Sequence, residues 1–285
     1  MKSTVKKIFM QRPFENLIAH LTKNKDINNL FVKCLPSNLD YKPNTFRRKK
    51  IDSITYDLHL NQWMEYALFF GIKNEDKTAL YNYIKPGYAI IDVGVNFGET
   101  LLNFAKLTGN SGMVYGFEPM PFSYDKCLKN VSLNNFKNIV IENMALSNTS
   151  ENLVIIDPLN GNSGGTYVSR WKADDIGQII IASIRLDEYV LQKGILKIDF
   201  VKIDVEGYET NVINGALETI KKYRPLLYIE ICDENLKRAG SSSVNLIQLL
   251  KSLNYSIKKS DSELLITENN IADYKLIDVF CTAMD

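Results

Sequence analysis

The chain has 285 residues, 45% of them hydrophobic and 24% charged, with a formal net charge of +1. These are the proportions of an ordinary globular protein, and so small a net charge gives no bulk attraction to nucleic acid or to an anionic membrane. No apolar run reaches the roughly 18 residues that a membrane-crossing helix needs. The basic N-terminus, Met1 to Met10, lacks the sustained apolar stretch of a secretory signal. Cys34, Cys127, Cys232 and Cys281 form no C-x-x-C pair, which excludes zinc-site spacing and a disulfide framework. They are expected as buried thiols in a reducing, cytoplasmic setting.

Residues 5–35 carry apolar residues mostly three and four apart, which predicts one or two amphipathic helices. Arg47-Arg-Lys-Lys50 is a basic run, expected as a solvated loop, with a nucleic-acid or acidic-glycan contact as the alternative. Ile51 to Leu60 alternates apolar with polar, the pattern of a short hairpin or edge strand. Trp63 to Phe70 and Thr78 to Ile84 read as helices, and Lys85-Pro86-Gly87 breaks the chain. The division expected is an N-terminal helical and β extension over 1–85, then a second domain over 86–285. Trp63, Tyr66, Phe69 and Phe70 read as core, although the extension could cover the functional crevice and help to choose its ligand.

From residue 86 the periodicity is that of alternating β and α elements. Strands are expected near 88–93, 113–118, 139–143, 199–204 and 225–231, and helices near 98–108, 121–135, 209–222 and 243–253. Residues 152–157 and 179–184 read as an extra β pair. The turn-rich loop from Asp157 to Thr166 is long enough to suggest a lid over a pocket, or else a surface loop. Tyr255 to Ile257, Leu264 to Thr267 and Ile277 to Cys281 should add antiparallel strands.

The chemistry begins at Asp92-Val-Gly-Val-Asn-Phe-Gly98. An apolar strand ends in Asp92, glycines 94 and 98 follow, and a helix opens at Glu99 and Thr100. Twenty residues beyond Gly98 another apolar run ends in Glu118-Pro119. Strand, glycine turn, helix, strand, acid is the order that holds an adenosine-type ligand at the carboxyl ends of parallel strands. Counting from Gly94, Asn96 and Glu99 fall where a G-x-G-x-x-G turn has glycines. A pyrophosphate would meet the Glu99 carboxylate. A ligand with a positive charge, such as S-adenosylmethionine, suits the turn better. Asp92 can take hydrogen bonds from the ligand or from loop amides, and Glu118 can take both ribose hydroxyls. The bland alternative is a tight strand-to-helix turn that binds nothing.

The chain resembles the FkbM-type S-adenosylmethionine-dependent methyltransferases. The resemblance rests on the glycine turn, on Phe117-Glu-Pro-Met-Pro121, on Asn143-Met-Ala-Leu-Ser147 and on Arg185-Leu-Asp187. It rests most on Val201-Lys-Ile-Asp-Val-Glu-Gly-Tyr-Glu209 and on Pro225-Leu-Leu-Tyr-Ile-Glu230. It covers about residues 86 to 260, and Val95 stands where the family more often has Ala. It implies a class I, Rossmann-like α/β fold: a three-layer sandwich on a mostly parallel sheet with an antiparallel C-terminal strand. It implies S-adenosylmethionine as cofactor, flanked at its adenine by Asn143, Met144 and Ala145, and O-methylation of a saccharide or glycoconjugate hydroxyl.

Methyl transfer to a hydroxyl requires alignment and removal of a proton. The two histidines, His20 and His59, lie N-terminal to the core pattern and read as structural. Asp204 and Glu230 end adjacent apolar strands and Glu206 follows in a turn, so the three acids should converge on one crevice, with Asp204 also beside the cofactor. They could instead cap helices or pair with Lys202 and Arg224. A convergent set serves as general base or positions the acceptor; the alternative is a hard cation such as Mg²⁺, and no metal is expected. Two other functions compete. A nucleic-acid methyltransferase would have only Arg47 to Lys50 in its favour, and no nucleic-acid partner is expected. The second is a catalytically silent cofactor-binding module, against which the intact set Asp92, Glu118, Asp204 and Glu230 argues.

Overall fold

A computed structural model describes residues 9–73, 77–156, 167–169 and 178–284. The chain divides into two compact units, one of residues 1–78 with 132–134, the other of 79–131 with 135–285.

In the first unit α1 (Arg12–Leu21), β1 (Lys25–Asp26), α2 (Leu30–Lys33), β2 (Phe46–Ile51), β3 (Ile54–His59), α3 (Trp63–Phe70) and β4 (Ile72–Lys73) follow in order. The basic run is not a loop: Arg47 to Lys50 is strand β2, paired antiparallel with β3. Asp52 and Ser53 turn the hairpin with φ of 45° and 75°, the left-handed pair whose twist suits a two-residue hairpin loop. Two of the cations are used internally. Arg47 grips Glu15, which is 1% exposed, through bonds of 2.6 and 3.0 Å. Lys49 donates to the Phe69 carbonyl and lies over that ring. Alternate residues of an amphipathic strand turn inward, which composition alone does not reveal. Tyr66, Phe69 and Phe70 are buried, as expected of core.

The second unit is built on a seven-stranded sheet. Its elements are α4 (Thr78–Asn82, which opens the unit at Ala79), β5 (Ala89–Val93), α5 (Glu99–Thr108), β6 (Met113–Phe117), α6 (Pro121–Ser132), β7 (Ile139–Glu142), β8 (Ala145–Leu146), β9 (Asn152–Ile156), β10 (Tyr167–Ser169), β11 (Gln178–Ile184), α7 (Leu186–Lys193), β12 (Phe200–Ile203), α8 (Glu209–Asn214), α9 (Leu217–Tyr223), β13 (Leu226–Cys232), α10 (Asp233–Arg238), α11 (Ser243–Ser252), β14 (Tyr255–Lys259) and β15 (Leu276–Ala283). The sheet order is β14-β15-β13-β12-β5-β6-β7. The five strands from β13 to β7 run parallel, and β15 and β14 add antiparallel.

Alternation along the strands fills two cores. Ile91, Val93, Val201, Ile203, Leu227 and Ile229 pack with residues of α7, α8, α9 and α11. Ile90, Val114, Phe200 and Tyr228 pack with residues of α5 and with Cys127 of α6. Helix, sheet and helix thus form the three layers of a Rossmann-like α/β unit.

The extra β pair exists: β9 and β11 run antiparallel in a small sheet of order β10-β9-β11-β8. The loop from Asp157 to Thr166 lies outside the described residues. Residues 264–267 form only a single bridge, Lys258 to Leu265, and no strand. The helix expected over 209–222 is two helices broken at Gly215. A Cβ on Gly215 would lie 1.8 Å from the Ser147 carbonyl oxygen, so only glycine fits at this position. Of the cysteines, Cys127 and Cys281 are buried, Cys232 is half-buried and Cys34 is exposed. Cys34 follows the last residue of the four-residue α2, too short an element to cover it.

Candidate active site

The glycine turn lies where β5 and β12 meet at their carboxyl ends. Gly94 has φ of 81°, and a Cβ on it would lie 1.9 Å from the Asp204 carbonyl oxygen. The turn and the Asp204 strand end are therefore in direct backbone contact, joined also by the Asp204 amide donating to the Val93 carbonyl at 3.2 Å. Asn96 and Gly98 take φ of 49° and 91°. Val95 is 2% exposed and packs in the core against Gly116.

Each acid near the turn has a definite set of partners. Asp92 is fully buried; its Oδ2 accepts the Thr100 hydroxyl at 2.8 Å, so it anchors the start of α5. Glu99 is half-buried in the first turn of α5. Glu118, just past β6, accepts the Asn96 amide at 2.8 Å on one oxygen and the Met120 amide at 3.0 Å on the other. Burial pushes its carboxyl up to about 7, against those two amides and Lys202, which pull it down. Pro119 is half-buried. Asn143 is exposed and donates to the Glu118 and Pro119 carbonyls at 2.9 and 3.1 Å, which ties the end of β7 to the acid. Met144 is half-buried, whereas Ala145 packs into a small core with Leu153, Ile181 and Tyr208.

Asp204, Glu206 and Glu230 do converge: one oxygen of each lies within 4.8 Å of the others, and all three residues are half-buried. Asp204 accepts from Lys202 at 3.1 Å. Glu206 has φ of 53°, a conformation that costs a residue with a Cβ about 1–2 kcal/mol. Its Oε2 accepts the Asn235 amide at 2.8 Å. Burial first, then the charges of Asp204 and Glu209, raise its carboxyl to about 7. Glu230 sits opposite Asp278 in the β13–β15 ladder.

Glu209 and Asn235, which have no assigned role in the sequence, and Lys202 belong to this region. Glu209 is 2% exposed and its Oε1 accepts the Val205 and Gly207 amides at 3.3 and 2.9 Å, so it folds the turn that carries Glu206. It stands in the motif from Val201 to Glu209, which signals its presence without its role. Asn235 lies outside every motif and meets Glu206 across 29 residues, with no local signal. Lys202 pairs with Asp204, but Arg224 donates to the carbonyls of Leu253, Asn254 and Met284 and not to an acid. His59 is buried in the first unit, accepting the Asn44 amide at 2.9 Å and lying against Phe46.

A family model described as Methyltransferase FkbM domain matches residues 92–257, more than half of the chain. The chain is 29% identical over 167 residues to 2-O-methyltransferase NoeI of Sinorhizobium fredii (strain NBRC 101917 / NGR234). That alignment takes in 53% of this chain and 66% of the relative, just under two thirds of its length. A crystal structure of methyltransferase FkbM from Methylobacillus flagellatus KT is 17% identical with a TM-score of 0.42, over 76% of this chain and 53% of that one. One of Aeropyrum pernix fibrillarin with natively bound S-adenosyl-L-methionine is 13% identical with a TM-score of 0.42, over 87% of each chain. At that level the superpositions add nothing to the fold already read from the sheet order. No helix among the described residues is long and apolar enough to cross a membrane. By the domain match over the glycine turn and the acid cluster, the chain belongs to the FkbM family of S-adenosylmethionine-dependent methyltransferases.

Proposed function

We propose that this chain is a cytoplasmic O-methyltransferase that binds S-adenosylmethionine at the glycine turn and methylates a hydroxyl of a saccharide or glycoconjugate. The turn fits a cationic ligand: Glu99, Glu118 and Asp204 surround it, and Lys202 is directed into the Gly94 carbonyl. Gly94, Asn96, Gly98 and Thr100 shape the cradle, Glu118 faces the ribose with Pro119 beside it, and Asn143 and Met144 border the adenine. Ala145 serves through its backbone, since its side chain is core. When bound, S-adenosylmethionine supplies an activated methyl group.

The observation that carries the reading is the convergence of Asp204, Glu206 and Glu230 beside Gly94. Asp204 and Glu230 hold the acceptor hydroxyl, and one of them takes its proton. Glu206, with its carboxyl raised to about 7, can hold or release a proton near neutral pH. The printed name of the Sinorhizobium relative supports transfer to oxygen. The same three oxygens would suit a hard cation; activity lost on chelation and restored by Mg²⁺ would favour that second reading. The nucleic-acid reading loses support, because Arg47 and Lys49 are spent inside the first unit. Turnover of S-adenosylmethionine to S-adenosylhomocysteine with a panel of glycans and with RNA tests the assignment. Turnover with a glycan alone is expected, and turnover with RNA alone would reverse it.

A further inference from the structure

A buried cation joins the two halves of this site. Lys202 stands on β12 directly across from Asp92 on β5 in the parallel ladder. It is 4% exposed, a degree of burial that lysine reaches almost only when paired. Its Nζ lies 3.0 Å from the Gly94 carbonyl, 3.1 Å from Asp204 Oδ2 and 3.6 Å from Asp92 Oδ1. The ammonium thus donates to the carbonyl of the cofactor turn, pairs with the carboxylate of the acceptor cluster and lies in ion-pair range of the acid that anchors α5. Asp92 in turn accepts the Thr100 hydroxyl, so the chain of contacts runs from the first turn of α5 to Asp204.

Stability alone does not account for this arrangement. Buried ion pairs are often replaceable by apolar residues of similar volume at no cost to the fold, and a strand between β5 and β13 offers such a place. What an apolar residue cannot do is hold the Gly94 carbonyl and the Asp204 carboxylate at a fixed separation.

We propose that Lys202 is a positioning residue that locks the glycine turn to Asp204, and so fixes the methyl donor's seat relative to the acid that orients the acceptor. The proposal rests on the reading of the site as a methyltransferase centre. Lys202 does not touch the substrate; it acts through Gly94, Asp92 and Asp204. Its fixed positive charge also offsets the two carboxylates it joins.

Calorimetric titration of S-adenosylhomocysteine into folded protein tests this with three proteins. The parent binds. Lys202→Met, with the ammonium gone, is expected to bind about tenfold more weakly or worse, the effect of losing one charge-assisted contact at the seat. Lys202→Arg, which restores the charge, is expected to recover most of that loss. A Lys202→Met protein that is folded by circular dichroism and binds within twofold of the parent overturns the proposal, as does a Lys202→Arg protein no better than Lys202→Met. Should Lys202→Met not fold, the ¹H–¹⁵N signal of the Lys202 ammonium in the parent decides. It is expected to shift on addition of S-adenosylhomocysteine, and an unmoved signal in bound protein overturns the proposal. A parent that binds no S-adenosylhomocysteine at all defeats the methyltransferase reading itself, whereas a binding parent with indifferent variants defeats only the role of Lys202.

Discussion

Glu118 and Glu206 are both carboxyls raised to about 7, on opposite sides of one centre, and they get there differently. Glu118 is buried among backbone donors: each oxygen holds a fixed amide of its own neighbourhood, so its geometry is settled before any ligand arrives. Glu206 is held by a side chain, Asn235, on a left-handed backbone, among like charges. A carboxylate fixed by amides suits an invariant group such as a ribose. A carboxylate crowded by other acids suits a group that gains or loses a proton. On the proposed reading, the difference separates a binding half from a reacting half, carried by acids 88 residues apart in the sequence.

Breaking the reacting half should have the largest effect. Asp204→Asn and Glu230→Gln are each expected to cut turnover by about 10²–10⁴-fold, the usual cost of a lost general base. Steady-state kinetics with the accepted glycan would show it, and Asp204→Asn should also lower the melting temperature because it removes a partner of the buried Lys202 ammonium. Turnover within a fewfold of the parent in both variants, with chelation harmless, would make those carboxylates structural.

Breaking the binding half comes next. Glu118→Ala removes an acceptor for two ribose hydroxyls and for the Asn96 and Met120 amides. Hydrogen bonds to a charged group are worth about 1.5–3 kcal/mol each, so affinity for S-adenosylhomocysteine should fall by about a hundredfold or more.

Glu209 sharpens the comparison through pH. Burial raises its carboxyl to about 7, and Glu118 and Glu206 stand at the same level. All three folded values lie above the ordinary glutamate value of 4.5. The folded state therefore binds more protons between the two values, and stability falls as pH rises through that window. The melting temperature should be highest near pH 5 and decline toward pH 8. Glu209→Gln keeps an acceptor for the Val205 and Gly207 amides and removes one titrating group, so its decline should be shallower. A parental slope in that variant would contradict the assignment of burial as the cause.

The smallest effect expected is at Asn235. Its amide stabilises the charged form of Glu206, so Asn235→Ala should raise that carboxyl further. The alkaline shift of the Glu206 midpoint, followed by carboxyl ¹³C resonance, should be accompanied by only a fewfold change in turnover.

The sequence disclosed the central strands well because each is a mainly apolar run with an acid at or near its carboxyl end, as at Ile91-Asp92 and Ile203-Asp204. It disclosed the convergence of Asp204, Glu206 and Glu230 because strand order follows from that alternation. It concealed what depends on packing between distant segments. Gly215 lies between two helices with the Ser147 carbonyl in the space a side chain would take, a contact that no local propensity records. Arg47 and Lys49 look like a solvated run until β2 is paired and Glu15 is brought beneath it. Lys202 reads as a candidate partner of the acid cluster, but its place across from Asp92 emerges only from the strand register. Asp92 reads as an acid at a ligand turn, and only the fold shows that it also holds Thr100 and lies beside Lys202.

The division into a binding half and a reacting half is tested most directly by titrating S-adenosylhomocysteine into the parent, Glu118→Ala and Glu230→Gln under one set of conditions. Glu230→Gln is expected to bind like the parent, and Glu118→Ala to bind at least about a hundredfold more weakly. Equal loss in the two variants, or parental affinity in Glu118→Ala, would contradict the account.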